Sequence, residues 1–433
     1  MLISGWGRHP HIDADAARPA TAAAVRALLA ARDGALLARG MGRSYGDASL
    51  APRVLDMTAL DRLIAFDADT GLLDCDAGLR LADLLDFCVP RGWWLPVLPG
   101  TGAVTVGGAI AADVHGKNHH HVGSFVAAVD AIDLVLADGS RVRAARDAHA
   151  DLFQATLGGM GLTGVIVSAR LRLVPLASPW LEQRVLPTAG LEETLTLLAR
   201  HAAANYSVAW VDLSRRGAHR ARALIMLGEH AYTRAGLVPR RRPLAVPIDL
   251  PAGVINRATV RAFNALYHWR GARAATPRTV HYTQYFFPLD ALGGWNRLYG
   301  RQGFVQHQCV LPFDAAPRAL AEMVGTLTMG SVPAPLAVLK ALGPANDHPL
   351  SFAMAGLTFA VDLPMTADTQ ALCARLDDLV ADHGGRLYLA KDASMSALNF
   401  RRGYPRWEAF QAVRERYCAL ARFASLQSRR LGL

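Results

Sequence analysis

The chain predicts an α+β protein of two domains, and three observations carry that expectation. Its 433 residues exceed what a single compact core of ordinary size encloses. Helical and strand periodicities are interleaved along it, from an opening helix, turn and strand to an amphipathic helix at the end. Near "PLASPW" (175 to 180) the pattern breaks, and strand-rich segments follow.

Residues 20 to 32, "ATAAAVRALLAAR", space their apolar side chains as a helix does, and Asp33-Gly34 turn the chain into the short apolar strand "ALLA". A glycine-rich loop comes next. "LRLADLLDFCV" (79 to 89) is a second amphipathic helix, stopped by Pro90. Beyond it lies a glycine-punctuated stretch with a short helical piece around 107 to 112. "DAIDLVLADGSRVRAA" alternates about Asp138-Gly139, a hairpin signal, and a helix at 148 to 157 leads through "GGMGLTG" into the strand "VIVSARLRLV".

After the break, strands mix with helices through "YSVAWVDL", "HYTQYFFP", "GFVQHQCVLP" and "LTFAVDLP". The insert at 238 to 257, "VPRRRPLAVPIDLPAGVINR", has neither period and reads as a long mobile loop. Its Arg240, Arg241 and Arg242, flanked by apolar residues, suit an anionic head group at a membrane surface. At the end, "LYLA" reads as an apolar strand that places Lys391 at its tip, and a helix starts at about 405. No internal repeat is present.

Composition narrows the function classes. No apolar run approaches the ~18 residues of a membrane span, and the start lacks the basic-then-apolar layout of a secretory signal. The expectation is a cytoplasmic protein, with peripheral association at the inner membrane left open. Five scattered cysteines without metal-ligand spacing fit reduced thiols. The net charge of +10 is spread over dispersed arginines with no Lys/Arg tract among aromatics, which argues against nucleic acid. Only Lys117, Lys340 and Lys391 are lysines among 46 basic residues. Each marks a place where a deprotonatable ammonium matters, because arginine does not release its proton.

Two motifs compete over "GMGRSYGD" (40 to 47). Gly42-Arg43-Ser44-Tyr45-Gly46 spells G-x-S-x-G, but a nucleophile elbow needs a helix straight after the serine, where Gly46 and Pro52 stand. Gly40 and Gly42 begin a dinucleotide fingerprint, but the spacing is G-x-G-x-x-x-G and no helix follows. What survives is a nest of backbone N–H groups able to cradle a pyrophosphate, or else a plain surface turn. Gly100, Gly107, Gly108 and Gly116 supply a second glycine-rich wall, which suits a large flat dinucleotide. His115, His119, His120 and His121 invite a metal reading, and His115 and His119 have the i, i+4 spacing of a zinc pair. No Glu or Cys follows at ligand distance, so no metal is expected.

These segments, with "LPVLPGT" and "TVGGAIAADVHGKNHH" (95 to 120), "GLTGVI" (161 to 166), "GFVQHQ" (303 to 308), "AVLK" (337 to 340) and "YLAKD" (388 to 392), resemble the vanillyl-alcohol-oxidase, or PCMH-type, FAD-linked oxidoreductases. Within that family the chain is similar to the branch that oxidises polyprenyl-phosphate-linked ribose. The resemblance implies an FAD-binding domain over 1 to 179, an inserted substrate domain on an antiparallel sheet over 180 to 385, and a return to the first domain over 386 to 433. It implies FAD held by Ala38, Arg39, Gly40, Met41, Gly42, Arg43, Ser44, Tyr45, Gly46 and Asp47 on one wall. On the other wall it implies Gly100, Thr101, Thr105, Val106, Gly107, Gly108, Ala112, Asp113, His115, Gly116 and Asn118, with Gly164, Ile166 and Tyr388 completing the set.

Lys391, Tyr45 and His115 are the catalytic candidates the resemblance implies; Lys117, Gln306, Gln308, Lys340, Thr358, Ala360 and Lys391 are those for substrate. Mycobacterial relatives carry asparagine at the position of Thr358 and cysteine at that of Ala360, a difference in pocket shape. Arg43 stands where many relatives have the histidine that bonds flavin covalently, so FAD is expected to be non-covalent. The implied reaction is oxidation of the ribose 2′-hydroxyl, with an NAD(P)H-dependent keto-sugar reductase as functional partner. The same fold would also serve an alditol or aldonolactone oxidase acting on a free sugar, or a non-catalytic flavin scaffold.

Overall fold

The computed structural model describes residues 1–31, 33–217, 220–231, 244–251, 253–274 and 277–433. Arg240, Arg241 and Arg242 lie outside these.

Residues up to Arg172 carry two principal sheets. Strands β1 (Asp15–Ala17), β2 (Leu37–Arg39) and β3 (Arg53–Asp56) form a parallel sheet in the order β1-β3-β2. Helix α1 (Ala22–Ala31) buries Val25 and Leu29, and Leu36, Ala419 and Phe423 belong to the same apolar cluster. Chain end and chain start therefore close one core, tied by the Leu36 N–H donating to the Arg422 carbonyl at 2.9 Å. The second sheet is antiparallel, of five strands: β4 (Leu63–Phe66), β5 (Leu72–Asp76), β6 (Val129–Val135), β7 (Arg141–Ala145) and β8 (Val165–Arg172), ordered β7-β6-β8-β5-β4. β6 and β7 are the hairpin about Asp138-Gly139, whose glycine sits at φ +81°. Helices α2 (Leu81–Cys88) and α3 (Val106–Ala111) bury their apolar residues in this sheet's core.

The larger sheet has eight strands: β9 (Trp180–Thr188), β10 (Tyr206–Asp212), β11 (Arg222–His230), β12 (Arg278–His281), β13 (Phe304–Pro312), β14 (Ala337–Leu342), β15 (Gly356–Pro364) and β16 (Arg386–Leu387). The order is β12-β9-β11-β10-β14-β15-β13-β16, and every pairing is antiparallel. Alternation along β13 and β15 explains its two faces. Val305, Cys309, Leu311, Phe359, Val361 and Leu363 pack in one core with Ala319, Leu320 and Met323 of α5 (Ala316–Met329) and Leu376 and Val380 of α6 (Thr369–Asp382). Gln306, Gln308, Thr358, Ala360 and Asp362 are left on the other face. Helix α4 (Arg257–Arg273) precedes β12 and begins at a capping box in which Asn256 and Thr259 satisfy each other's backbone N–H.

Two expectations are corrected. "LYLA" is not a strand: β16 ends at Leu387, and the N–H groups of Lys391 and Asp392 both donate to the Tyr388 carbonyl, at 2.8 and 3.0 Å. Lys391 thus rides on a turn, which the Asp392 carboxylate fixes by accepting from Ser394 and Met395 N–H. The described part of the 238 to 257 insert is also anchored. Leu244–Ala245 pairs with Leu292–Gly293, and Asp249 takes a forked ion pair from Arg8 at 2.6 and 3.0 Å. Among the described residues no helix is long and apolar enough to cross a membrane. All five cysteines are free thiols.

Candidate active site

A cavity separates the two glycine-rich segments from the polar face of the eight-stranded sheet. The loop wall is made of backbone. β2 delivers the chain into residues 40 to 46, where Gly42 takes φ +61°, a conformation that side chains resist. At Gly40 an added Cβ would stand 2.3 Å from Thr105 Oγ1, so the two glycine-rich segments touch only because Cβ is missing. The N–H groups of Met41, Gly42, Arg43 and Ser44 donate to no protein atom among the described residues. Ser44 Oγ is engaged with Ser49 Oγ at 2.9 Å and is hydrogen-bonded to no base among the described residues, which argues against the nucleophile elbow. The Arg43 guanidinium lies 3.9 Å over the Trp6 ring, and its buried Nε has no partner. Burial lowers its pKa, an effect Asp290 partly offsets.

The sheet wall is made of side chains. Register pairs Gln306 with Asp362, Gln308 with Ala360, and Lys340 with Thr358. His115, reaching across from the glycine segment, receives a hydrogen bond on Nδ1 from Lys340 Nζ at 2.8 Å, and its Nε2 is 3.0 Å from the Gln308 amide. Because Nδ1 accepts from the lysine, Nε2 carries the ring proton, and Gln308 must turn its carbonyl oxygen toward it. Burial first, then the charges of Lys340, His119 and Lys391, hold His115 well below the ordinary histidine range, so it stays neutral. Phe352 stacks on its ring at 5.5 Å.

Lys391 Nζ sits 3.6 Å from the Tyr45 ring centroid, and the Tyr45 N–H donates to the Ala390 carbonyl at 2.9 Å. The loop and the lysine turn are thereby one unit. Burial pushes the Lys391 ammonium down to about 7, against the pull of Asp362. Lys340 is also pushed down to about 7 by burial and by Lys117 and Lys391. Asp362 accepts from Gln306 Nε2 at 2.6 Å and from the Tyr299 hydroxyl at 3.0 Å, and burial pushes its carboxyl up to about 6. The cavity therefore holds two lysines able to give up a proton near neutral pH and an imidazole that stays neutral, with a carboxyl raised to about 6 behind its wall.

Comparison with known proteins agrees with this geometry. Residues 15–145, which contain both glycine segments, match the FAD binding domain family. Decaprenylphosphoryl-beta-D-ribose oxidase of Mycolicibacterium smegmatis is 36% identical over 451 residues, spanning 100% of this chain and 97% of that protein. The chain belongs to the decaprenylphosphoryl-β-D-ribose oxidase family. An uncharacterized protein of Streptomyces coelicolor is 34% identical over 82% of this chain and 99% of its own length. Human Delta(24)-sterol reductase is 41% identical over only 101 residues, 23% of this chain and 19% of that protein. Members of the family are FAD-dependent oxidoreductases, and the residues present fit the cofactor: unpaired loop N–H groups and an orphaned Arg43 Nε suit a pyrophosphate.

Of the residues expected from sequence, Ala38 through Tyr45, Gly100, Thr101, Thr105, Gly107, Gly108, Ala112, His115, Gly164, Ile166 and Tyr388 line the cavity, as do Gln306, Gln308, Lys340, Thr358, Ala360 and Lys391. Seven do not, each for a structural reason. Gly46 is pressed against the Asp392 backbone, and Asp47 is ion-paired to Arg430 at 2.8 Å. Val106 is core. Asp113 accepts from Ser351 and Asn346, which hold the strand-end loop. Gly116 packs on Asn118 and Leu98, and Asn118 donates to the Pro96 carbonyl. Lys117 donates to the Tyr285 carbonyl, its ammonium 4.3 Å from that ring. Sequence reasoning missed Trp6, Asp290 and Trp295 on the wall and Asp362 behind it. A period of two counted on from Thr358 and Ala360 reaches Asp362; no pattern marks the other three. Among the described residues no cluster of three His, Cys, Asp or Glu side chains is placed to hold a metal.

Proposed function

We propose that the chain oxidises the 2′-hydroxyl of a polyprenyl-phosphoryl-β-D-ribose to the 2′-keto sugar. An NAD(P)H-dependent keto-sugar reductase would complete the epimerisation to an arabinose donor for cell-envelope glycan. The observation that carries this reading is the row of Gln306, Gln308, Lys340 and Lys391 facing the glycine loops: two amides for sugar hydroxyls, Lys340 for a phosphate and Lys391 for the proton of the alcohol. Thr358 and Ala360 stand between them and set the shape of that pocket. The division at 179/180 and 385/386 accompanies the reading: the five-stranded sheet lies before it, and seven of the eight strands of the larger sheet lie within 180 to 385.

Bound FAD supplies the acceptor for the hydride of the alcohol carbon. The chain's own residues handle orientation and the proton. Lys391 in its neutral form takes the hydroxyl proton at Nζ, and the Tyr45 ring face holds the resulting ammonium. Neutral His115 keeps Lys340 in place by accepting its hydrogen bond. Leu336 and Val338 line the cavity and keep water from the reacting carbon. Under anaerobic conditions polyprenyl-phosphoryl-ribose is expected to bleach the flavin, with the product two hydrogens lighter. Bleaching by free pentitols or sugar lactones instead would refute the substrate class.

The flavin is held without a covalent bond. Arg43 lacks a free lone pair, and both nitrogens of His115 are already engaged. Acid precipitation should release all the yellow colour into the supernatant; a yellow pellet would contradict this.

A further inference from the structure

Helix α4 has one face that nothing among the described residues covers. Val260, Asn264 and Gly271 turn inward, Gly271 lying against Leu224 of β11. Toward solvent, from the flank round to the far side, positions 263, 266, 270 and 273 form an i, i+3, i+7, i+10 ladder of Phe263, Leu266, Arg270 and Arg273, with Trp269 beside it. Phe263 is 61%, Leu266 53% and Trp269 52% exposed, a large apolar expanse for a helix surface. No Asp or Glu occurs in the helix, which carries Arg257 and Arg261 as well. No carboxylate among the described residues pairs with any of the four arginines.

We propose that this face of α4 docks on an anionic bilayer surface. Phenylalanine, leucine and tryptophan are the side chains that sink into the boundary between head groups and acyl chains. Arginines interleaved with them lay their stems along that apolar layer and bring their guanidinium groups to lipid phosphates. The Arg273 guanidinium already lies 4.1 Å from the Trp269 ring, so cation and interfacial aromatic act as one patch. A protein partner matched to this face would need acidic groups around an apolar centre; an anionic bilayer presents both everywhere.

The position of the helix adds a consequence. Leu224, Trp210 and Val338 lie in one row across β11, β10 and β14. Tyr267 of α4 packs on Trp210 at 4.7 Å between ring centroids, while Val338 and the adjoining Leu336 line the active cavity. Docking through α4 would set the cavity beside the lipid surface, along a continuous apolar row. The docking itself stands apart from the substrate assignment, since neither needs the other to be true.

The test is flotation of full-length flavin-loaded protein with vesicles of phosphatidylglycerol and phosphatidylcholine, against pure phosphatidylcholine. The protein is expected to float with the acidic vesicles at low salt and be released by high salt. Phe263→Ser, Leu266→Ser and Trp269→Ser together should weaken that binding by about tenfold or more. Arg270→Gln with Arg273→Gln should do the same and flatten the salt dependence. Both variants should keep their flavin and their turnover of a detergent-dispersed substrate, because none of the five residues lines the cavity. Undiminished flotation of the triple variant would overturn the proposal, and so would equal binding to neutral vesicles. A dimer that the triple variant converts to monomer, with vesicle binding unchanged, would assign the face to a second copy and overturn it too.

Discussion

The two walls of the cavity work by opposite means. Residues 40 to 46 act through backbone and missing Cβ atoms: free N–H groups, a left-handed glycine, and contacts closer than any side chain allows. The facing strands act through side chains standing at alternate positions, where Gln306, Gln308, Lys340 and Asp362 are placed by sheet register alone. The first wall therefore tolerates changes that preserve backbone and fails when an atom is added. The second tolerates added volume at the surface of the cavity and fails when chemistry changes at constant shape.

The largest test of that contrast is Lys391→Arg. A cation is kept, although guanidinium fills a different shape, and the glycine wall is untouched, so FAD should remain bound at full stoichiometry. Guanidinium does not give up its proton, whereas the lysine is pushed down to about 7. Flavin reduction should slow by about 10²–10⁴-fold, the usual worth of a positioned base, measured by stopped-flow bleaching. Near-normal rates would reduce Lys391 to an exchangeable cation.

Two glycines sharpen the other side. A methyl at Gly46 would stand 2.0 Å from the Asp392 carbonyl oxygen and 2.7 Å from Ala393 Cα, both backbone. Gly46→Ala should cost about 1–3 kcal/mol or more through overpacking, seen as a lower Tm of the apoprotein and loss of flavin together. A methyl at Gly100, by contrast, meets no protein atom within 4 Å. Gly100→Ala should leave the apoprotein Tm unchanged and weaken FAD by about tenfold, roughly 1.4 kcal/mol, in a fluorescence titration. Equal FAD affinity would remove Gly100 from the cofactor's path.

The same contrast explains what could be read from the letters. Glycine spacing is a backbone signal, so both loops of the first wall were legible before any coordinates. Alternation made the strands legible, while Gln306 and Gln308 were singled out by the family resemblance alone. Trp6, Asp290 and Trp295 were not, because they reach the cavity from segments far apart in the chain and carry no period. Lys117 was misplaced for the complementary reason: rarity marks it as unusual, but only the structure shows it bonded to the Tyr285 carbonyl behind the wall. "LYLA" looked like a strand because its composition is apolar. The Tyr388 carbonyl, accepting twice, turns it instead.

The smallest effect expected is the most discriminating, because it separates the lysine from the acid across from it. Asp362 raises the Lys391 pKa by its charge, while its own carboxyl is pushed up to about 6. Asp362→Asn keeps the volume and can still accept from the Tyr299 hydroxyl, but the charge is gone. Without it the Lys391 value falls further, and the neutral amine that takes the proton accumulates at lower pH. Wild-type flavin reduction should therefore rise with pH through about 7. The Asn variant should reach its plateau earlier, with a plateau rate within about tenfold of wild type, well short of the loss of a base. If Asp362 itself took the proton, its replacement would depress the rate at every pH by far more, and the rising limb near 7 would not shift but disappear. The pH profile of single-turnover bleaching in the two proteins decides between a carboxylate that tunes the base and one that is the base.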